Sequence, residues 1–278
     1  MPVLGTRSNR SDAEPDTGCG LPGTIMKISF CTIAFQKNKW GRDRVVERAV
    51  GEVLPILAEA GYDGAELWGP HVGAMSPAEL DALRRQLDEL HLATAMVSPY
   101  FDFTSSDQSA ADSLVEALWF LQFARRLGSR AVRVFTGKTG SATATEEQWT
   151  RAARCLRTLA DASAADGIIW ALETHANNLM DTVEGTLRLL RLVGRPNVRL
   201  IFQPSTFRDE YVRATEALAP YACHVHGNHY GGGEIDFRKV LGRLKSVGFH
   251  GFVSVEWMGE DPESAARDEA RALRELIG

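Results

Sequence analysis

The sequence is short of the features that mark several common protein classes. It has only four cysteines, Cys19, Cys31, Cys155 and Cys223, and no CxxC pair. That scatter excludes a zinc knuckle or a disulfide framework and reads as reduced thiols in a cytoplasmic protein. No run approaches the roughly 18 apolar residues of a membrane-spanning helix, so a membrane partner is not expected. Basic charge is not in excess: 31 Lys and Arg face 36 Asp and Glu, a net charge of −5, which argues against nucleic acid as the main partner. A glycine-rich dinucleotide fingerprint is also missing after the first apolar run, ISFCTIAFQKNKW. The later GNHYGGGE at 227–234 lacks the GxGxxG spacing.

The chain is 278 residues long, 44% apolar and 24% charged, enough for one large α/β barrel or two small domains. Residues 1–25 are rich in Gly, Pro, Ser, Thr and charge and have no apolar signal core; they read as a disordered tail. Met26 directly precedes the first strand-like run, so translation is expected to start there; an intact native mass beginning at residue 1 would refute this.

From Met26 to Gly278 one pattern recurs: apolar run, polar turn, amphipathic stretch, small-residue stop. The runs lie at 28–35, 64–68, 93–98, 131–136, 168–173, 198–203, 222–226 and 252–256. Helical patterns separate them, among them 44–61, 77–91 and 112–128, where Val115, Leu118, Phe120, Leu121 and Phe123 recur at helical spacing and Gly128 supplies a C-cap. GYDG and GFHG each close a helix and open the next strand. Eight strands alternating with eight helices predict a single-domain (β/α)8 TIM barrel over 26–278. A doubly wound open sheet is the competitor.

A barrel of this kind carries its active site at the C-terminal ends of its strands. Four consecutive runs end in Glu173, Gln203, His226 and Glu256, spaced 30, 23 and 30 residues apart. Adjacent strands lie about 4.8 Å apart, so these ends can converge on one point. Two carboxylates, an imidazole and an amide oxygen suit one divalent ion: Mn, Mg, Co or Zn. The bland alternative is that each polar residue simply ends its strand at the water boundary. Alternation places Ala171 and Ile169 inward with Glu173, and His224 inward but roughly 6.6 Å below His226, beneath the ligand shell. His229 falls out of phase unless the loop turns.

The marks MKISFCT, AGYDGAELWGPH, LETHANN, HVHGN and GFHGFVSVEW resemble those of the xylose isomerase-like TIM barrels, specifically the sugar phosphate isomerase/epimerase group, from about Met26 to Gly278. The resemblance implies a divalent metal held by Glu173, the residue at 203, His226 and Glu256, with Glu173 and Glu256 doubling as catalytic acid and base. That family usually has Asp where Gln203 stands, His three residues later where Thr206 stands, and often Lys at Asn228. An amide can still offer its carbonyl oxygen, but two carboxylates only just neutralise M²⁺. A weaker site that polarises a carbonyl more strongly is therefore expected.

Metal chelation by a keto-hydroxy group acidifies the adjacent C–H, and a carboxylate removes the proton to give a cis-enediolate. Proton return to the opposite face of the same carbon gives an epimerase, return to its neighbour an aldose–ketose isomerase, and loss of a β-hydroxyl a dehydratase. The expected function is a metal-dependent isomerase or epimerase of a sugar or keto-polyol. The alternatives are a dehydratase on a cyclic polyol or keto-sugar, and a metal-poor sugar-binding or partner subunit. A three-zinc apurinic-site endonuclease, covered by the same superfamily, is disfavoured by the charge balance. Candidate substrate-binding residues are His71, His175, Glu66, Trp68, Asn228 and Trp257; packing or an ion pair competes for Glu66 and the two tryptophans. Arg133 reads as a buried structural cation, Arg208 as a solvated loop residue, and His91 and His250 as structural. A small-molecule partner is expected, and a homo-oligomer is compatible with the reading.

Overall fold

The computed structural model describes residues 26–39 and 44–278. The tail reading for 1–25 lies outside the described residues. Strands β1 (Lys27–Cys31), β2 (Gly64–Trp68), β3 (Ala93–Ser98), β4 (Ala131–Val134), β5 (Ile169–Glu173), β6 (Val198–Phe202), β7 (Ala222–Gly227) and β8 (Phe252–Val255) form a closed parallel barrel. Closure is made by β1 and β8, with Ile28 opposite Val253 and Ser29 opposite Ser254. The expected (β/α)8 architecture is what the chain adopts.

The helices are α1 (Val50–Glu59), α2 (Gly69–Gly73), α3 (Pro77–Glu89), α4 (Asp107–Leu127), α5 (Glu146–Ser163), α6 (Val183–Val193), α7 (Tyr211–Leu218), α8 (Phe237–Ser246) and α9 (Pro262–Ile277). Capping fixes several starts. Ser76 and Glu79 form a reciprocal capping box on α3, and Thr145 with Gln148 does the same on α5. Gly128 ends α4 in the left-handed region at φ 67°, satisfying the C-terminal carbonyls that a helix leaves open.

Strand alternation sorts the core into two. Trp170 and Leu172 point outward into the large apolar layer between sheet and helices, whereas Ala171 joins Met96, Ala131 and Ile201 inside the barrel. Trp170 is fully buried, and its indole N–H donates to Leu159 O and Ser163 Oγ, both at 2.9 Å. Truncating such a side chain costs roughly 3–5 kcal/mol. In GFHG, Gly248 takes φ 77°, and a Cβ on Gly251 would collide with the Cys223 carbonyl where β8 enters beside β7.

Three expectations shift. The apolar run at 28–35 is strand only to Cys31; Thr32–Phe35 turns into a 3-10 helix, closed by Gln36 N–H donating to Ile33 O. The first helix starts at Val50 instead of residue 44: Arg44 takes φ 45°, residues 44–49 are non-helical, and the Glu47 N–H donates to Gln36 Oε1. On α4, Phe120 and Leu121 are buried, but Val115, Leu118 and Trp119 are exposed.

Candidate active site and metal centre

The four strand-end residues meet at the C-terminal mouth. Glu173 ends β5, Gln203 follows β6, His226 lies in β7, and Glu256 directly follows β8. His226 Nδ1 lies 3.5 Å from Glu173 Oε1 and 4.0 Å from Glu256 Oε2. Gln203 Nε2 donates to Glu256 Oε2 at 3.1 Å. That bond orients the amide so that its oxygen faces away from the carboxylate.

Two buried polar atoms have no hydrogen-bond partner here: Gln203 Oε1 and His226 Nδ1. Leaving buried polar atoms unpaired is costly, and in the neutral ring a bare Nδ1 beside two carboxylates is what a cation would take up. Glu173, His226 and Glu256 offer ligand atoms within 4.8 Å of one another. These three residues therefore fit a divalent ion, whereas Gln203 turns its NH₂ toward Glu256 and would add a fourth, uncharged oxygen only with its amide turned over.

The electrostatics separate the two carboxylates. Burial alone would raise Glu173, but the charges of Arg133 and His226 outweigh it and hold the carboxyl below its ordinary range. Burial raises Glu256, and the neighbouring Glu173 charge adds to that against the pull of His226. Burial would lower His226, yet Glu66 and Glu173 on either side hold the imidazole well above its usual value. A proton and a cation thus compete for the same nitrogen.

Arg133 is the buried cation the sequence reading expects, and it also borders the site. Its guanidinium is 4% exposed and points into the mouth, with Nη1 3.2 Å from Glu173 Oε2. It also donates to the carbonyls of Ser98 and Pro99 at 3.2–3.3 Å and lies 4.5 and 4.9 Å from the Tyr100 and Phe135 ring centres. The signal was present in β4: Ala131 faces the barrel interior, so period two turns Arg133 inward as well. A cavity of about 10 Å³, lined by Glu66, Trp68, Ser98, Arg133 and Glu256 among others, lies beneath the mouth. A hollow of about 880 Å³ lies to one side, against α4; it shares Pro99 and Tyr100 with the rim.

The predicted substrate-binding residues are distributed unevenly. His175 is exposed at the mouth, its ring 5.3 Å from Phe135 and its Nδ1 2.7 Å from Ala176 O. Asn228 Nδ2 donates to the Glu256 carbonyl at 3.1 Å. Trp257 packs edge-on to exposed His229 at 5.0 Å, and its buried indole N–H has no partner. Trp68 is buried, and its indole donates to Tyr100 Oη at 3.1 Å. Glu66 is deeper than a rim residue, in contact with both strand-seven histidines.

His71 is locked on both ring nitrogens. Gln36 Oε1 accepts from the backbone N–H groups of Glu47 and Arg48, which makes its other terminal atom the NH₂. That NH₂ faces His71 Nε2 at 2.9 Å, so Nε2 accepts and Nδ1–H donates to Thr32 Oγ1 at 3.0 Å. Burial pushes His71 down to about 4. Arg208 is exposed, as expected of a loop.

The fold and the strand-end cluster together define a member of one family. The family described as the xylose isomerase-like TIM barrel matches residues 54–276, and the chain belongs to it. Among its relatives is the 3-dehydroshikimate dehydratase of Bacillus anthracis, 25% identical over 285 residues, which cover 89% of this chain and 96% of that protein. The solved structure of the probable 3-DHS dehydratase AsbF from Bacillus anthracis, involved in petrobactin synthesis, has a TM-score of 0.75 at 23% identity, covering 90% of this chain and 99% of that one. D-Psicose 3-epimerase from Clostridium cellulolyticum H10, solved with D-tagatose, has a TM-score of 0.75 at 17% identity, with coverage of 91% and 99%. Among the described residues, no helix is long and apolar enough to cross a membrane.

Proposed function

We propose that the protein is a divalent-metal-dependent dehydratase acting on a keto-polyol that carries an anionic group. The observation that carries this reading is the buried Arg133 guanidinium beside Glu173, at the edge of a cluster with two unpartnered polar atoms. Its Nε and Nη2 are taken by the Ser98 and Pro99 carbonyls and one Nη1 hydrogen by Glu173, so it offers an anionic substrate its charge and the second Nη1 hydrogen. The dehydratase relative, whose substrate 3-dehydroshikimate is a cyclic keto acid, supports the same branch.

A metal held by Glu173, His226 Nδ1 and Glu256, and by Gln203 once its amide oxygen is turned inward, would supply electrophilic polarisation of the substrate carbonyl. Glu173, held ionised, is the base that takes the proton next to the carbonyl. As the C–H pair moves to form a carbon–carbon double bond, the neighbouring C–O bond breaks. Glu256, 4.0 Å from the same imidazole nitrogen, is placed to hand a proton to the departing hydroxyl, which leaves as water. Arg133 holds the anionic end of the substrate, and the buried walls of the mouth restrict water.

A second reading is favoured by the same pair. Carboxylates 3.5 and 4.0 Å from one imidazole nitrogen, one held low and one pushed up, also suit removal of a proton from one face and its return on the other. That gives an epimerase of a neutral ketose, the sugar isomerase/epimerase outcome expected from the sequence.

Manganese-loaded protein should be given 3-dehydroshikimate and followed by mass spectrometry for loss of water. In parallel, ketohexoses should be incubated in heavy water and followed for deuterium uptake. Water loss abolished by Glu256→Gln supports the dehydratase. Deuterium uptake without water loss transfers the assignment to the epimerase. With neither reaction, both fall and a sugar-binding role replaces them.

A further inference from the structure

Beneath the mouth, a buried cluster around His226 contains groups that the chemistry above does not use. Glu66 reaches from β2 across the barrel floor, and one of its oxygens meets three groups. Oε2 is 2.9 Å from His226 Nε2, 3.0 Å from His224 Nε2 and 3.2 Å from Cys31 Sγ. Its other oxygen accepts from Ser98 Oγ at 2.6 Å. All five residues are at most 3% exposed.

We infer that Glu66 is the positioning residue for His226, fixing its tautomer so that the Nδ1 lone pair faces Glu173 and Glu256. The inference rests on the metal-site reading above and gives a role to a residue the ligand set does not contain. An ionised carboxylate only accepts, so a hydrogen bond to Glu66 Oε2 requires the hydrogen on His226 Nε2. In the neutral ring, Nδ1 is then bare. Nδ1 is also the atom left buried without a partner, 3.5 Å from Glu173 Oε1. The clamp is rigid because Ser98 fixes the far oxygen of Glu66, while His224 and Cys31 occupy the remaining acceptor directions on Oε2. His224 is thus a second donor to the clamp, which accounts for its inward position below His226.

Carboxylates that orient a ligating histidine typically alter metal affinity 10–100-fold when removed. Glu66→Leu keeps much of the volume but removes the acceptor, so nothing holds the ring hydrogen on Nε2. The test uses full-length protein, with manganese and zinc affinities measured by competition against a chelating dye. A second readout is ¹⁵N NMR of histidine rings in metal-free protein at alkaline pH, where the ring is neutral. Wild type should keep its hydrogen on Nε2 of His226. Glu66→Leu should release it toward Nδ1, facing Glu173 and Glu256, and weaken metal binding about 10–100-fold.

Ser98→Ala, which loosens only the far oxygen, should weaken binding less and in the same direction; it covers the case in which Glu66→Leu fails to fold. A wild-type hydrogen on Nδ1, or unchanged affinity in both variants, overturns the inference. If wild type binds no metal, the proposed function fails, whereas the metal-free spectra still decide whether Glu66 sets the ring.

Discussion

Lowering the pH from 7 to 5 should remove about 2 kcal/mol of stability through His71 alone. In the folded protein its pKa is depressed from 6.5 to about 4, first by burial. The Gln36 NH₂ facing Nε2 gives a second reason, since a proton there would meet a donor. The neutral ring is therefore the folded form, and protonation favours the unfolded chain. Such a group contributes its full stability above its unfolded pKa, and loses it as the pH falls through the window from 6.5 toward 4. At pH 5 the unfolded histidine is almost wholly charged and the folded one about a tenth charged, which gives the stated figure. Urea unfolding at pH 7, 6 and 5 should be compared for wild type and His71→Gln, which has no ring to titrate. Wild type should lose about 2 kcal/mol more than the variant over this range. Parallel profiles would refute the reasoning, and would mean that the ring titrates freely and is open to the mouth.

Gln203→Asp should tighten manganese binding by roughly tenfold or more, as a third carboxylate joins Glu173 and Glu256; unchanged affinity in calorimetry would take position 203 out of the ligand set. Arg133→Met keeps an apolar stem between Tyr100 and Phe135 but leaves Glu173 without its cation. It should reduce kcat/KM for an anionic keto-polyol by about 100-fold, and by much less for a neutral ketose. Equal losses on the two substrates would remove Arg133 from substrate binding. Gly128→Ala should cost about 2 kcal/mol, because φ 67° strains any side chain and the new Cβ displaces Arg84 from the Leu127 carbonyl. Thermal unfolding would show this as a Tm several degrees lower, and an unchanged Tm would contradict it.

The barrel was legible because its signals are local: apolar runs, amphipathic stretches and glycine stops each report on a few neighbouring residues. Glu173, Gln203, His226 and Glu256 were legible because chain direction alone puts strand ends on one rim. The inner floor was less so. Glu66 meets His224 and His226 across 158 and 160 residues of chain, and no periodicity within a strand encodes such a meeting. The same limit hid the lock on His71, which depends on how Gln36 is turned by two backbone amides of a later segment. The 3-10 turn at Thr32–Phe35 was hidden differently: TIAF is as apolar as a strand, and only the closing bond from Gln36 distinguishes it. The α4 boundary was missed because Ser106, its N-cap, lies upstream of the first clearly amphipathic residues.

The junction at Glu66 has a kinetic consequence. It joins β1, β2 and β3, from the first part of the chain, to β7 near its end, through contacts whose sequence separation places them among the slowest to form. Neighbouring strand–helix units can assemble while this carboxylate still waits for its histidines. On refolding, the ability to hold a metal should therefore return after most of the helical signal. On gentle unfolding it should be lost while much of the helical signal remains.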